Sequence, residues 1–170
     1  MYKFLLFAGA LFNSYAYSYE RYGWPGEGVP VFSFIKESYV FCETPKQDSS
    51  CIKKPVNYKK QISLTNSDIV NESRFITISP VTMETTDDFV ITDYNLPVSK
   101  GDKLVNHQYA AEGYYEVEIK GKIYQVFVEG YHNFLTNTDK EPETEWWVKI
   151  INKGWLKLTN NNVNYHPREF

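Results

Sequence analysis

The stretch GDKLVNHQYAAEGYYEVEIKGKIYQVFV, residues 101–128, decides the fold. Apolar and polar residues alternate along it, which is the period of a strand with one face buried. KLVNHQY (103–109), YYEVEI (114–119) and KIYQVFV (122–128) are the alternating runs. Ala111-Glu112-Gly113 and Lys120-Gly121-Lys122 separate them, and a glycine there supplies the positive φ of a tight hairpin. Ser99-Lys100-Gly101-Asp102 forms a similar turn ahead of the first run. Strands joined by turns this short must run antiparallel.

The same alternation recurs on both sides. It marks VPVFSFI (29–35), RFITIS (74–79), FVITDY (89–94), EWWVKII (145–151) and GWLKL (154–158). Apolar residues seldom recur at helical spacing for more than a turn. Short strands, glycine turns and no crossover helices predict an all-β fold, a small antiparallel barrel or sandwich. Other stretches interrupt the pattern. Residues 17–28 read as part of an extended arm. Residues 53–73 are polar, with Ile62, Leu64, Ile69 and Val70 as buried anchors. Residues 131–144 read as a polar loop, and the Asn-rich tail 160–170 is expected to fray.

The chain has 170 residues, with 18 Lys+Arg against 21 Asp+Glu and a formal charge of −3. A nucleic-acid binder needs a basic face to release counterions, so no nucleic acid is expected as partner. A polybasic membrane-surface protein is disfavoured in the same way. Aromatic residues make up 17%, far more than a disordered chain carries. With 2 Cys there is neither a disulfide framework nor a four-thiolate zinc site.

Residues 1–16, MYKFLLFAGALFNSYA, place Lys3 before an apolar run from Phe4 to Phe12. Asn13-Ser14-Tyr15-Ala16 follows, with small residues at the cleavage positions. This is the pattern of a secretory signal peptide cut after Ala16. The run is too short for a bilayer core of about 30 Å, and no later stretch supplies a transmembrane segment. The expected location is therefore periplasmic or secreted. In an oxidising compartment Cys42 and Cys51 are expected to form a disulfide, because Pro45, Asp48, Ser49 and Ser50 let the chain turn back between them.

Residues 101–128 also resemble the middle and end of a bacterial SH3-like domain. Lys100-Gly101, Gly113-Tyr114-Tyr115, Val117 and Gly121 stand where that family has its turn, aromatic pair, strand end and hairpin. EWWVKIINKGWLKL (145–158) resembles a second copy, through Trp146-Trp147, Val148 and Gly154-Trp155-Leu156. SYVFCETPKQDSSCI (38–52) is similar to the family's opening strand and irregular loop. Departures are visible: the first hairpin ends in Gln125-Val126-Phe127 rather than Gly-Trp-hydrophobic, and residues 53–98 fit no standard loop length. The resemblance implies two packed SH3-like units with insertions, following the arm 17–37: residues 38–98 and 99–170. It implies an exported, non-enzymatic binding module of the cell envelope. The partner would be a cell-wall component, such as a wall peptide, or a protein.

Neighbours in a strand point to opposite faces, so one ring of each aromatic pair should point outward. The candidate ligand-binding residues are thus Tyr114, Tyr115, Trp146, Trp147 and Trp155. The ordinary alternative is that these rings fill a core poor in aliphatic residues. His107, His132 and His166 are scattered, without metal-ligand spacing, and are read as surface or hydrogen-bonded groups. Glu141, Glu143 and Glu145 read as a solvated acidic turn. No catalytic residue, metal or cofactor is assigned, since nucleophile-elbow, phosphate-loop and dinucleotide motifs are all missing. A second functional reading is an inhibitor or immunity protein whose acidic loop 139–145 enters the basic cleft of a secreted hydrolase. A third is a hydrolase, which would need a strongly perturbed carboxylate or His in a deep pocket.

Overall fold

The computed structural model describes residues 19–22, 31–57, 61–63 and 69–166. The segment 1–16, expected to be a signal peptide, lies outside them, as do Leu64 and the last residues of the tail. Within them the chain is all-β and every pairing is antiparallel. The first strands are β1 (Glu20–Tyr22), β2 (Val31–Phe34), β3 (Ser38–Phe41), β4 (Ile52–Pro55) and β5 (Gln61–Ser63). Next come β6 (Val70–Ser79), β7 (Val81–Glu84), β8 (Phe89–Ile91), β9 (Leu96–Val98) and β10 (Lys103–Ala111). The last are β11 (Tyr114–Ile119), β12 (Lys122–Phe127), β13 (Glu143–Ile150), β14 (Gly154–Leu158) and β15 (Val163–His166).

The hairpins read from residues 101–128 form as expected. β10, β11 and β12 are consecutive neighbours, with β7 on the far side of β10. The β11–β12 turn places Lys120 at φ 51° and Gly121 at φ 79°, the paired positive values that match strand twist. The closed barrel does not form. The strands lie in small open sheets ordered β1-β6-β13-β14, β12-β11-β10-β7 and β15-β2-β5, plus the pairs β3-β4 and β8-β9.

Two apolar clusters divide the chain in an order the sequence did not announce. One gathers Phe32, Phe34, Tyr39, Phe41, Ile62 and Val70 from the N-terminal side, with Val148, Ile150, Leu156, Leu158 and Val163 from the C-terminal side. The other gathers Met83, Ile91, Val98, Leu104, Val117, Ile119, Val126, Val128 and Leu135. The second cluster is nested within the first along the chain. The expected boundary at 98/99 falls inside it, because Val98 and Leu104 share one core. β13 pairs with β14, as the hairpin read over 145–158 expects, and its other side pairs with β6, Trp146 opposite Phe75 and Trp147 opposite Arg74.

The alternating run read at 29–35 forms: Val31–Phe34 is the central strand of its sheet and Phe32 is fully buried, so the arm drawn over 17–37 takes in a core strand. Two further expectations are corrected. The tail does not fray through His166: Val163 is buried opposite Phe34, and His166 Nε2 lies 2.9 Å from Ser33 Oγ. Asn162 prepares that return. Its side chain accepts from the Thr159 N–H at 2.8 Å and donates to the Lys157 carbonyl at 2.7 Å. Glu143 and Glu145 belong to β13, so they are strand residues and not part of a solvated turn.

Cys42 and Cys51 are disulfide-bonded, sulfur to sulfur 2.11 Å. Closing a loop of this length should stabilise the chain by about 2–3 kcal/mol. Replacing both cysteines by serine is expected to lower the urea-unfolding free energy by that amount. Adding reductant should then leave the variant's midpoint unchanged while lowering that of the wild type.

Candidate functional site

The fold's irregular place is the join between β3 and β14. Cys42, directly after β3, exchanges both backbone hydrogen bonds with Trp155, each 2.8 Å. Gly154 makes this approach possible. Its φ is +112°, and a Cβ there would sit 2.6 Å from the Cys42 carbonyl oxygen. Only a residue without a side chain fits so close to backbone.

Beyond that contact the ladder stops. Backbone groups alternate in direction along a strand, so the Cys42–Trp155 pairing aims Val40 and Lys157 at each other as well. No strand pairing continues to them among the described residues: β3 and β14 lie in different sheets, and Cys42–Trp155 is an isolated bridge. The Lys157 carbonyl turns to Asn162, and the Tyr39 hydroxyl donates to the Asn162 carbonyl at 2.5 Å, closing the far end. A cleft of about 400 Å³ occupies the opening. By strand alternation the Val40 backbone and the Lys157 N–H face it, and no strand pairing spans it among the described residues.

The cleft's two faces differ because strand residues alternate. Tyr39 and Leu156 line the inner side, next to the first core. Lys36, Val40, Lys53, Lys157 and Gln47 line the outer side and the mouth. Lys36 and Lys53 are exposed and have no carboxylate partner among the described residues. Lys157 pairs with Glu145, which also accepts the Trp147 indole N–H at 2.9 Å. The disulfide loop borders the mouth through Cys42 and Gln47.

The five aromatic candidates do not form one platform. Trp147 and Trp155 are 2% and 3% exposed and pack with Cys42 and Ile76 in a small cluster of their own. Arg74 lies 5.2 Å and Lys149 5.8 Å from the Trp155 ring. Both cations sit on the sheet face that alternation alone leaves open, and their stems cover the ring. Of these two rings only Trp147 borders the cleft. Trp146 is half-buried, stacked on Tyr165 at 6.0 Å, and donates to Ser73 Oγ at 2.7 Å. Tyr114 and Tyr115 belong to the second core's sheet. Tyr114 packs on Phe127, and the Tyr115 hydroxyl donates to Glu141 at 2.7 Å. Burial first, then the Glu141 hydrogen bond and charge, push the Tyr115 phenol well above its ordinary range.

The histidines behave as hydrogen-bonded structural groups. His107 is buried in β10 at a register shift, 3.2 Å from Glu118 and 4.7 Å from the Tyr19 ring. Sequence reasoning missed the lysine cleft altogether. Lys36, Lys53 and Lys157 are far apart in the chain, and only the β2–β3 turn, the β3–β4 pair and β14 bring them together.

Two outcomes test this geometry. Gly154→Ala should destabilise more than Gly121→Ala, by urea unfolding. Both lose about 1–2 kcal/mol to a positive φ, but the Gly121 position has open space where Gly154 meets Cys42. Since the Tyr115 phenol ionises later in the folded chain than in the unfolded one, its stabilising effect is complete below pH about 10 and fades above it. Tyr115→Phe should therefore flatten the loss of stability in alkaline titration.

No protein-family model, curated protein or solved structure matches the chain.

Proposed function

We propose that this chain is an exported, non-enzymatic binding module of the bacterial envelope, and that it takes an extended, carboxylate-bearing peptide in the cleft between β3 and β14. The observation that carries the reading is the unpaired stretch of ladder. Strand addition draws its affinity from free backbone groups and its specificity from alternate side-chain positions. Val40 and Lys157 offer such groups on opposite walls. Side chains of an added strand would alternate between Leu156 and Tyr39 inside and the lysines outside. A peptide alternating apolar and acidic residues fits both faces, whether it comes from a wall peptide or from a protein.

SH3-like units remain the architectural part of the proposal. The β10–β12 hairpins and the β13–β14 hairpin support it by their glycine turns and aromatic pairs. Export is supported by the Cys42–Cys51 bond, which persists in oxidising compartments. Among the described residues no helix is long and apolar enough to cross a membrane. The inhibitor reading has less support, because its acidic loop is partly engaged within the chain. Glu141 accepts from Tyr115, and Glu145 is held by Lys157 and Trp147.

The test is a titration with a synthetic peptide alternating Glu and Val, about seven residues long, followed by tryptophan fluorescence. Saturable binding that weakens with salt is expected, and Lys53→Glu should weaken it roughly five- to ten-fold. Lys103→Glu, on the other sheet, should leave it unchanged. Equal binding of a Lys–Val peptide, or indifference to Lys53→Glu, would contradict the proposal. Retention on purified peptidoglycan then distinguishes a wall ligand from a protein one.

A further inference from the structure

β12 ends its sheet, which runs β12-β11-β10-β7. The free edge of a sheet presents N–H and C=O groups that template another strand. At Gln125 both groups are already occupied. The Tyr94 hydroxyl donates to the Gln125 carbonyl at 3.1 Å and accepts from the Gln125 N–H at 3.2 Å. One hydroxyl thus replaces the residue that a neighbouring strand would supply. Tyr94 comes from the 3-10 turn Thr92–Tyr94, and its ring packs edge-on against Tyr124 at 5.0 Å. Two residues back, the Ile123 backbone points the same way by strand alternation, and among the described residues no second strand pairs with this side of β12. The side chains of Ile123 and Phe127 are 41% and 38% exposed along this edge.

We propose that the β12 edge is a strand-pairing surface for a second copy of this chain, held closed by the Tyr94 hydroxyl. The sequence of the edge says which occupant fits. A two-fold contact requires a surface that matches itself, and β12 does so about Gln125. In an antiparallel pair centred there, Ile123 faces the other copy's Phe127, Gln125 faces Gln125, and Tyr124 faces Val126. β12 ends at Phe127, so Lys122 lies beside the start of the other copy's 3-10 turn Val128–Phe134, whose first turn carries Glu129. Exposed apolar side chains meet each other, and no like charges fall opposite. While Tyr94 holds the central residue, the pair cannot form its middle hydrogen bonds. This surface belongs to the second core's sheet and does not depend on the peptide cleft.

Tyr94→Phe keeps the ring and removes the hydroxyl. By sedimentation velocity the variant should self-associate about ten-fold more tightly, or better, than the wild type. Adding Ile123→Lys should return it to monomer, since a charge on an edge strand opposes pairing. A covalent readout fixes the register. Both native cysteines are bonded to each other, so Gln125→Cys introduces the chain's one reactive thiol. In the Tyr94→Phe background it should cross-link to a disulfide dimer about ten-fold faster than with Tyr94 intact. A folded Tyr94→Phe chain that stays as monomeric as the wild type would overturn the proposal. So would cross-linking no faster than with Tyr94 present, or association that Ile123→Lys does not reverse. If the phenylalanine variant unfolds, Tyr94→Leu makes the same comparison.

Discussion

The paired hydrogen bonds between Cys42 and Trp155 set the shape of everything around the cleft. Among the described residues they form the one backbone bridge between the end of β3 and β14. They exist because Gly154 has no side chain at φ +112° and because the disulfide begins at the same residue. Next to this contact the strands part. A ladder that continued would leave a closed sheet edge, and a missing contact would leave β3 and β4 attached only through side chains and core packing. Pinned at one point, the two strands form a cleft with defined walls.

Burial organises the same region from both sides. On the inner face Phe41, Leu156 and Val148 join the first core, where a fully buried side chain of this kind contributes about 1.5–3 kcal/mol. On the outer face the two buried tryptophans lie under the disulfide and the stems of Arg74 and Lys149. Arg74 is itself fixed by Glu20 at 2.9 Å and Glu72 at 2.7 Å. The charged groups therefore act as a lid on aromatic surface. Among the described residues the exposed lysines at the cleft, Lys36 and Lys53, have no such carboxylates beside them.

Much of the fold was legible from local pattern. Alternation and glycine turns between residues 101 and 128 specify hairpins whose partners lie next to each other in sequence. Ile62 and Val70 stood out as apolar anchors in a polar stretch, and both are buried. Pairing between distant strands left no such trace. EWWVKII looks like the start of another local hairpin, and nothing in it names β6 as the partner on its other side. β15 was missed because Val163 is its single buried residue among asparagines. The cover over Trp147 and Trp155 was not legible, because alternation assigns a face and is silent about what lies on it. The cleft was invisible for a related reason: it arises where two strands stop pairing, and a missing ladder has no periodicity to read.

The most direct measurement is amide hydrogen exchange, residue by residue, at Val40 and Lys157 with and without an extended peptide of alternating acidic and apolar residues. Both amides should exchange quickly in the free chain and slow together when the peptide is present, while Cys42 and Trp155 stay protected throughout. If Val40 and Lys157 are already slow without peptide, or if protection appears elsewhere and leaves them unchanged, the cleft is not a strand-binding site.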